Sequence, residues 1–366
     1  MAEDAGASVS TALVRLVRKA IAENGGWLPF DRYMALALYA PGLGYYTNPG
    51  RTFGVLPEGG SDFVTGPELS PFYGRAFARQ LAQALDACSL DEVWEFGAGS
   101  GALAETLLDA LGDRVRRYAI VDVSGALRDR QQRRLARFGD RVRWLDELPA
   151  AFTAVVVANE LLDAMPVQLL HWDGQRWLER GVTDVHGAFV FGDRPTELRP
   201  SYVPDDIEPD TTTELHAHAC AFVATLAERL VRGAAFFVDY GFPEAEYHLA
   251  QRRGGTLMCH RAHRADPDPL EGVGTKDITA HVDFTELALA AQDAGLDVIG
   301  YTSQARFLLN CGILDLLRGA GIAETAHAQK LLLEHEMGEL FKVLALAKGC
   351  AFEPLGFANG DRRHRL

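Results

Sequence analysis

The feature that most constrains this chain is a glycine-rich turn, Glu95-Phe96-Gly97-Ala98-Gly99-Ser100-Gly101, set between an apolar run, Val93-Trp94-Glu95-Phe96, and a helical pattern from Ala102 to Leu111. Glycines at such a junction let the backbone reverse sharply and approach a bound ligand closely. The same alternation continues along the chain. Tyr118 to Val123 is the next apolar run, followed by a helix ending near Phe138, then by Val142-Arg143-Trp144, Ala154 to Ala158 and Ala234 to Val238. Helical stretches are expected around Leu161 and from Thr213 to Val231, and Asp297 to Ser303 and Glu339 to Ala347 supply two last strands joined by helices between Ala305 and Met337. Continuous apolar strands separated by helices predict an α/β fold built on a mostly parallel, Rossmann-like sheet covered on both faces.

Ahead of this series the pattern is helical. Leu13, Leu16, Val17, Ala20 and Ile21 recur with helical period until Gly25-Gly26, and Phe30, Tyr33, Met34, Ala37 and Leu38 repeat at steps of three and four. Tyr39 to Leu69 is rich in Gly and Pro but carries Tyr45, Tyr46, Phe53 and Phe63, which suits an ordered functional loop. Between Val167 and about Pro209 short alternating pieces turn at Asp173-Gly174 and His186-Gly187, the mark of hairpins inserted into the α/β domain. The expected division is therefore a helical and loop lid region over 1–90, a main domain over 91–350 with an insertion at about 167–212, and a flexible tail over 351–366. A length of 366 residues accommodates this at roughly 150 residues per domain.

Composition removes other classes. With 36 Lys plus Arg against 50 Asp plus Glu, a formal net charge of −14 argues against nucleic acid as the partner. The five cysteines, Cys88, Cys220, Cys259, Cys311 and Cys350, show no C-x-x-C spacing, so no metal site is expected and reduced thiols are. No apolar run approaches a membrane span and the first residues are acidic, so a cytoplasmic location is expected. No heptad or hydrophobic stripe predicts an oligomer, although an exposed edge or the inserted lobe is where a homodimer would form.

The glycine turn alone fits a nicotinamide or flavin site, since Gly97, Gly99 and Ala102 satisfy G-x-G-x-x-G/A. Asp122, ending the next strand, accepts from ribose hydroxyls in either class. Glu95 ahead of the first glycine and the G-x-G-x-G spacing of Gly97, Gly99 and Gly101 favour S-adenosylmethionine (SAM), whose ammonium and sulfonium suit a carboxylate better than a pyrophosphate does. At the end of the fourth strand, Asn159 and Glu160 are expected to face the methyl group and its acceptor. Glu160 and Asp163, three apart on a helical first turn, would share a face and grip a cationic acceptor such as guanidinium. His281 and Asp283 alternate in Thr279-Ala280-His281-Val282-Asp283-Phe284, so an Asp orienting a His is a candidate general base.

Beyond single motifs, the chain resembles the MidA-type SAM-dependent methyltransferases, whose mitochondrial member is a respiratory complex I assembly factor that methylates arginine. The resemblance rests on Gly44-Tyr45-Tyr46; the run Asp62 to Ser70; the glycine turn; Asn159 to Pro166; Val238 to Gly241; Gly254 to Leu257; Asp277 to Phe284; and Met337 to Leu344, in order across roughly 27–349. Gly66 stands where that family usually has Ser, and His260 where it usually has Tyr ahead of His263. The resemblance implies a class I methyltransferase sheet with an added N-terminal helical part and an inserted lobe. It also implies SAM as cofactor and a protein arginine as acceptor, with a complex I subunit the implied partner. Thr65, Pro67 and Glu68 join the cofactor side, and Tyr45-Tyr46 and Asp62 to Ser70 would close over it. Residues alone leave open a small-molecule methyltransferase or an assembly protein that retains the fold without catalysis.

Overall fold

The computed structural model describes residues 2–48, 65–204, 207–261 and 264–366, so Phe53, Asp62, Phe63, Val64 and His263 lie outside the described residues. The chain forms two compact units, one of residues 64–161, 220–242 and 287–366, the other of residues 1–63, 162–219 and 243–286.

The first unit carries the sheet. Its main elements are α1 (Pro71–Cys88), β1 (Glu92–Phe96), α2 (Ala102–Leu111), β2 (Arg117–Val121), α3 (Gly125–Leu135), β3 (Val142–Leu145), β4 (Phe152–Asn159), α4 (Ala217–Arg229, in this unit from Cys220), β5 (Leu230–Phe242), β6 (Asp297–Ser303) and β7 (Phe341–Lys348). The strands lie in the order β3-β2-β1-β4-β5-β7-β6. β3 through β5 are parallel neighbours, and β7 runs antiparallel between β5 and β6. The parallel strands were legible as unbroken apolar runs because both faces are covered: every residue of β1 is buried, and so are Ala154 to Ala158 of β4. Strand order reverses between β1 and β4, and a crevice for a ligand opens at the carboxyl ends of strands at such a switch point.

One face of the sheet packs on α1 and α2. Phe77 of α1 meets Phe236 of β5 at 6.2 Å and Phe307 at 4.9 Å between ring centroids, and burial of each such ring stabilises the fold by roughly 1.5–3 kcal/mol. Ser70 caps α1 by accepting from the Phe72 N–H, with Pro71 in the first turn where its missing N–H costs nothing. Because α1 belongs to this core, the expected boundary at residue 90 does not follow the packing: residues 65–88 go with the sheet.

Two further expectations fail here. The tail is not frayed: Phe357 is buried against Phe307, the Arg362 N–H donates to the Tyr301 carbonyl at 2.6 Å, and the Arg362 guanidinium pairs with Glu339. The thiols are not all reduced: Cys88, at the end of α1, and Cys350, just beyond β7, form a disulfide with Cα atoms 5.4 Å apart, leaving Cys220, Cys259 and Cys311 free. The partners are 262 residues apart in sequence, and only the packing of α1 beside the sheet brings them together.

The second unit is a lobe whose N-terminal helix, Ala2–Glu23, buries Leu13, Val17 and Ile21, and whose next helix, Phe30–Tyr39, buries the expected stripe from Phe30 to Leu38. The hairpins are present as antiparallel strands Gln168–Trp172, Trp177–Val185 and Ala188–Pro195. His186 and Gly187, with φ 52° and 88°, make the tight two-residue turn between the last two. The helix expected from Thr213 begins only at Ala217; Thr211–Leu215 is a strand pairing with Gln168–Trp172, because β-branched threonines favour extended backbone where a sheet edge awaits them. A small sheet with Met258–Arg261 at its centre was not foreseen.

Candidate active site

At the carboxyl end of β1 the turn is built on three left-handed glycines, Gly97, Gly99 and Gly101, with φ 69°, 53° and 82°. A side chain at Gly97 would strike Leu161 at 2.9 Å, whereas one at Gly99 would project into open space. That open space is the room a ligand needs beside the backbone. Gly101 caps α2 without a side-chain acceptor, so the first N–H groups of α2 are turned toward the same turn.

Glu95 is buried beneath the turn, and the Tyr118 hydroxyl donates to its Oε2 at 2.6 Å. Burial pushes the Glu95 carboxyl up to about 7, against the lowering effect of the Tyr118 bond and with a further rise from Asp122. Asp122, at the end of β2, accepts from the Ser124 N–H at 3.0 Å and from Gln131 Nε2 at 2.9 Å; the same amide nitrogen donates to the Gly99 carbonyl at 2.9 Å. Gln131 thus ties the ribose candidate to the glycine turn. Partial burial raises the Asp122 carboxyl, and these hydrogen bonds oppose it.

Past β4 the expected helical turn is absent. Glu160 has φ 52°, a left-handed conformation that an L residue adopts at a cost, and no helix follows. The corner is held by its neighbours. The Glu160 N–H donates to the Val238 carbonyl at 2.8 Å, and the next N–H, on Leu161, donates to Oδ2 of the fully buried Asp239 at 3.1 Å. Asn159 Nδ2 donates to Glu160 Oε1 at 3.0 Å, the Gly66 N–H reaches the same oxygen at 3.4 Å, and the Tyr73 hydroxyl donates to Asn159 Oδ1 at 2.5 Å.

The turn Thr65 to Leu69 meets the site through more than Gly66. Glu68 accepts from the Ser100 hydroxyl of the glycine turn, and Arg134 reaches Ser100 at 2.8 Å, Glu68 at 3.4 Å and Glu105 at 2.8 Å. Thr65 and Pro67 flank this contact as the first residues of the turn. The sheet unit therefore brings together Glu95, the three glycines, Asp122, Asn159, Glu160 and Glu68.

Asp163, His281 and Asp283 belong to the lobe, and their expected pairings fail. Without a helix, Glu160 and Asp163 share no helical face; Asp163 instead receives the Ala280 N–H on its backbone carbonyl at 2.9 Å. Asp283 is a helix cap, its Oδ1 accepting from the N–H groups of Thr285 and Glu286, and the histidine at 3.8 Å from its Oδ2 is His248. His281 turns its Nδ1 to the Thr256 carbonyl at 3.4 Å. Tyr45 and Tyr46 are lobe core: Tyr46 stacks on Tyr39 and donates to Asp277 at 2.9 Å. Sequence reasoning missed Tyr73, Ser100, Gln131 and Arg134, all of which lie inside helical or turn patterns that carry no chemical signature.

A family model described as "Putative S-adenosyl-L-methionine-dependent methyltransferase" matches residues 76–302. The chain belongs to that family. The chain is similar to a Burkholderia thailandensis protein described as a "likely methyl transferase" and crystallised with S-adenosyl-homocysteine (SAH), 50% identical, with TM-score 0.94 over 99% of this chain and 98% of that one. A native crystal structure from the same organism is 48% identical with TM-score 0.91 over 99% and 98%. A Caenorhabditis elegans protein named protein arginine methyltransferase NDUFAF7 homolog, mitochondrial, is 28% identical over 88% of this chain and 83% of its own length. The Homo sapiens protein arginine methyltransferase NDUFAF7 is 27% identical over 88% and 81%. The MidA-type resemblance and the class I fold are thereby confirmed, and this family member is a SAM-dependent methyltransferase. The open space at Gly99, between a buried carboxylate at Glu95 and a fastened one at Asp122, fits that cofactor.

Proposed function

We propose that this methyltransferase acts on arginine side chains of a protein, with Glu160 holding the acceptor against the methyl group. The observation that carries the reading is the Glu160 corner: a left-handed, strained glutamate at the end of β4, pinned by Val238, Asp239 and Asn159. Strain of this kind persists only where the surroundings over-determine it, and it gathers at working sites. The names of the relatives, protein arginine methyltransferases, support the acceptor class.

Bound SAM supplies an electron-poor methyl carbon on a cationic sulfur. Gly97, Gly99 and Gly101 would admit the cofactor, Glu95 would hold its ammonium and Asp122 its ribose hydroxyls. Asn159 and Glu160 frame the reacting end. The turn carrying Thr65, Pro67 and Glu68 shields it from water through the contact with Ser100. Glu160 would orient the guanidinium by paired hydrogen bonds, and its carboxylate would take the proton the attacking nitrogen sheds as the N–C bond forms and the S–C bond breaks, leaving SAH.

The test is to incubate the purified protein with methyl-labelled SAM and respiratory complex I from cells lacking it, since a complex I subunit is the acceptor the family resemblance points to. Labelled methylarginine in one subunit, lost with Glu160→Gln, supports the reading. Label on another residue type, or none, contradicts it.

A further inference from the structure

Tyr73 stands in the first turn of α1, on the face of that helix buried against the sheet, and is 1% exposed. Its ring packs beside Phe77, and its hydroxyl donates to Asn159 Oδ1 at the end of β4. The direction of each hydrogen bond follows from Glu160. Ionised, Glu160 only accepts, so the nitrogen side of the Asn159 amide must face it, which turns Asn159 Oδ1 to Tyr73 and makes the phenol the donor. Remove the hydroxyl and, of these two bonds, only the one to Glu160 still distinguishes the two amide orientations. In the flipped amide, oxygen would face carboxylate.

Gly66 completes the arrangement. Its N–H donates to Glu160 Oε1, and a Cβ there would lie 3.1 Å from Tyr73 Cε2, so the residue that takes the place of the family's usual Ser is in close contact with this ring. A fixed phenol, a fixed amide and a fixed carboxylate follow one another toward the carboxyl edge of the sheet.

We propose that Tyr73 is a positioning residue for methyl transfer: by locking the Asn159 amide it aims the Glu160 carboxylate at the cationic reacting end of the bound cofactor. This rests on the placement of Glu160 given above. Its consequence is selectivity between SAM, which carries a sulfonium, and SAH, which carries a neutral thioether. General damage to the pocket weakens both ligands alike, whereas loss of an aimed carboxylate weakens SAM alone.

The experiment is calorimetric titration of SAM and SAH into the full-length protein and its Tyr73→Phe, Glu160→Gln and doubly substituted variants, with thermal melts alongside. Glu160→Gln is expected to lower the SAM-to-SAH affinity ratio about tenfold, Tyr73→Phe about threefold or more, and the double variant no further than Glu160→Gln alone, which is the non-additivity of residues acting through one another. If Tyr73→Phe does not fold, Asn159→Ala, which removes the amide that links the phenol to Glu160, gives a shift in ratio in the same direction. Equal weakening of both ligands by Tyr73→Phe, or additive effects in the double variant, overturns the Tyr73 proposal while a ratio change in Glu160→Gln leaves the placement of Glu160 standing. An unchanged ratio in Glu160→Gln overturns the aim of Glu160 at the sulfonium and the Tyr73 proposal with it, while the hold of Glu160 on the acceptor is tested separately by the methylarginine label.

Discussion

The Tyr118 hydroxyl lies 2.6 Å from Glu95 Oε2 in a fully buried pair between adjacent parallel strands, directly beneath the glycine turn. Burial outweighs that hydrogen bond, and the Glu95 carboxyl is raised to about 7. A raised carboxyl favours its neutral form in the folded chain, so its stabilising contribution is full below the usual carboxylate range and is lost as pH rises through about 7. Glu95→Gln, which keeps an acceptor for Tyr118, should therefore melt above the natural protein at pH 8 and no higher than it at pH 5. Ligand binding runs the other way: SAH, with its ammonium, should bind more tightly as pH rises from 6 to 8, releasing a proton detectable by calorimetry in buffers of different ionisation enthalpy. A melting difference that is flat across this range contradicts the raised carboxyl, and a flat SAH affinity removes Glu95 from the ammonium.

Gly99 and Gly112 offer a matched comparison. Both have positive φ, 53° and 54°, and a Cβ at either meets nothing within 4 Å. Alanine at either position should cost about 1–3 kcal/mol through backbone strain. Gly99→Ala should in addition lose at least about tenfold in SAH affinity, because the space it fills is the ligand's, while Gly112→Ala at the end of α2 keeps full affinity. Equal affinities in the two variants contradict the placement of the cofactor.

The Cys88–Cys350 bridge makes a count. Denatured without reductant, the protein should show three reactive thiols, those of Cys220, Cys259 and Cys311, and five after reduction. Cys88→Ser should cost roughly 2–5 kcal/mol, read as a fall in the urea midpoint. Five thiols before reduction contradict the bridge.

Phe357 belongs to the core of the sheet unit, 5% exposed, with its ring 5.5 Å from that of Phe307. Phe357→Ala should destabilise the fold by about 3 kcal/mol. A melting temperature unchanged by this substitution would restore the picture of a loose tail.

What was legible in the sequence had a period or a backbone requirement behind it. The parallel strands announced themselves as apolar runs, the Phe30 to Leu38 stripe as a helix face, and the three glycines as positions with positive φ at a strand end. Thr211–Leu215 was misread because an apolar helix follows it directly and the pairing that makes it a strand lies some forty residues back, at Gln168–Trp172. The Glu160–Asp163 pairing assumed a helix that the Glu160 corner prevents, and that corner is made by Val238 and Asp239, distant in sequence. His281 and Asp283 had the spacing of a dyad, yet capping of the following helix claims the aspartate. Tyr73 sits in an apolar helical stripe and acts through one hydroxyl, and no local pattern marks such a residue. The disulfide joins cysteines whose spacing carries no signal.

The most direct measurement is titration of the purified protein with SAM, SAH and NAD, repeated with Gly99→Val. Binding of both adenosyl ligands but not NAD, abolished by Gly99→Val in a variant that still melts cooperatively, is the predicted result. Binding of NAD alone, or SAM affinity untouched by Gly99→Val, would contradict the cofactor site described at the glycine turn.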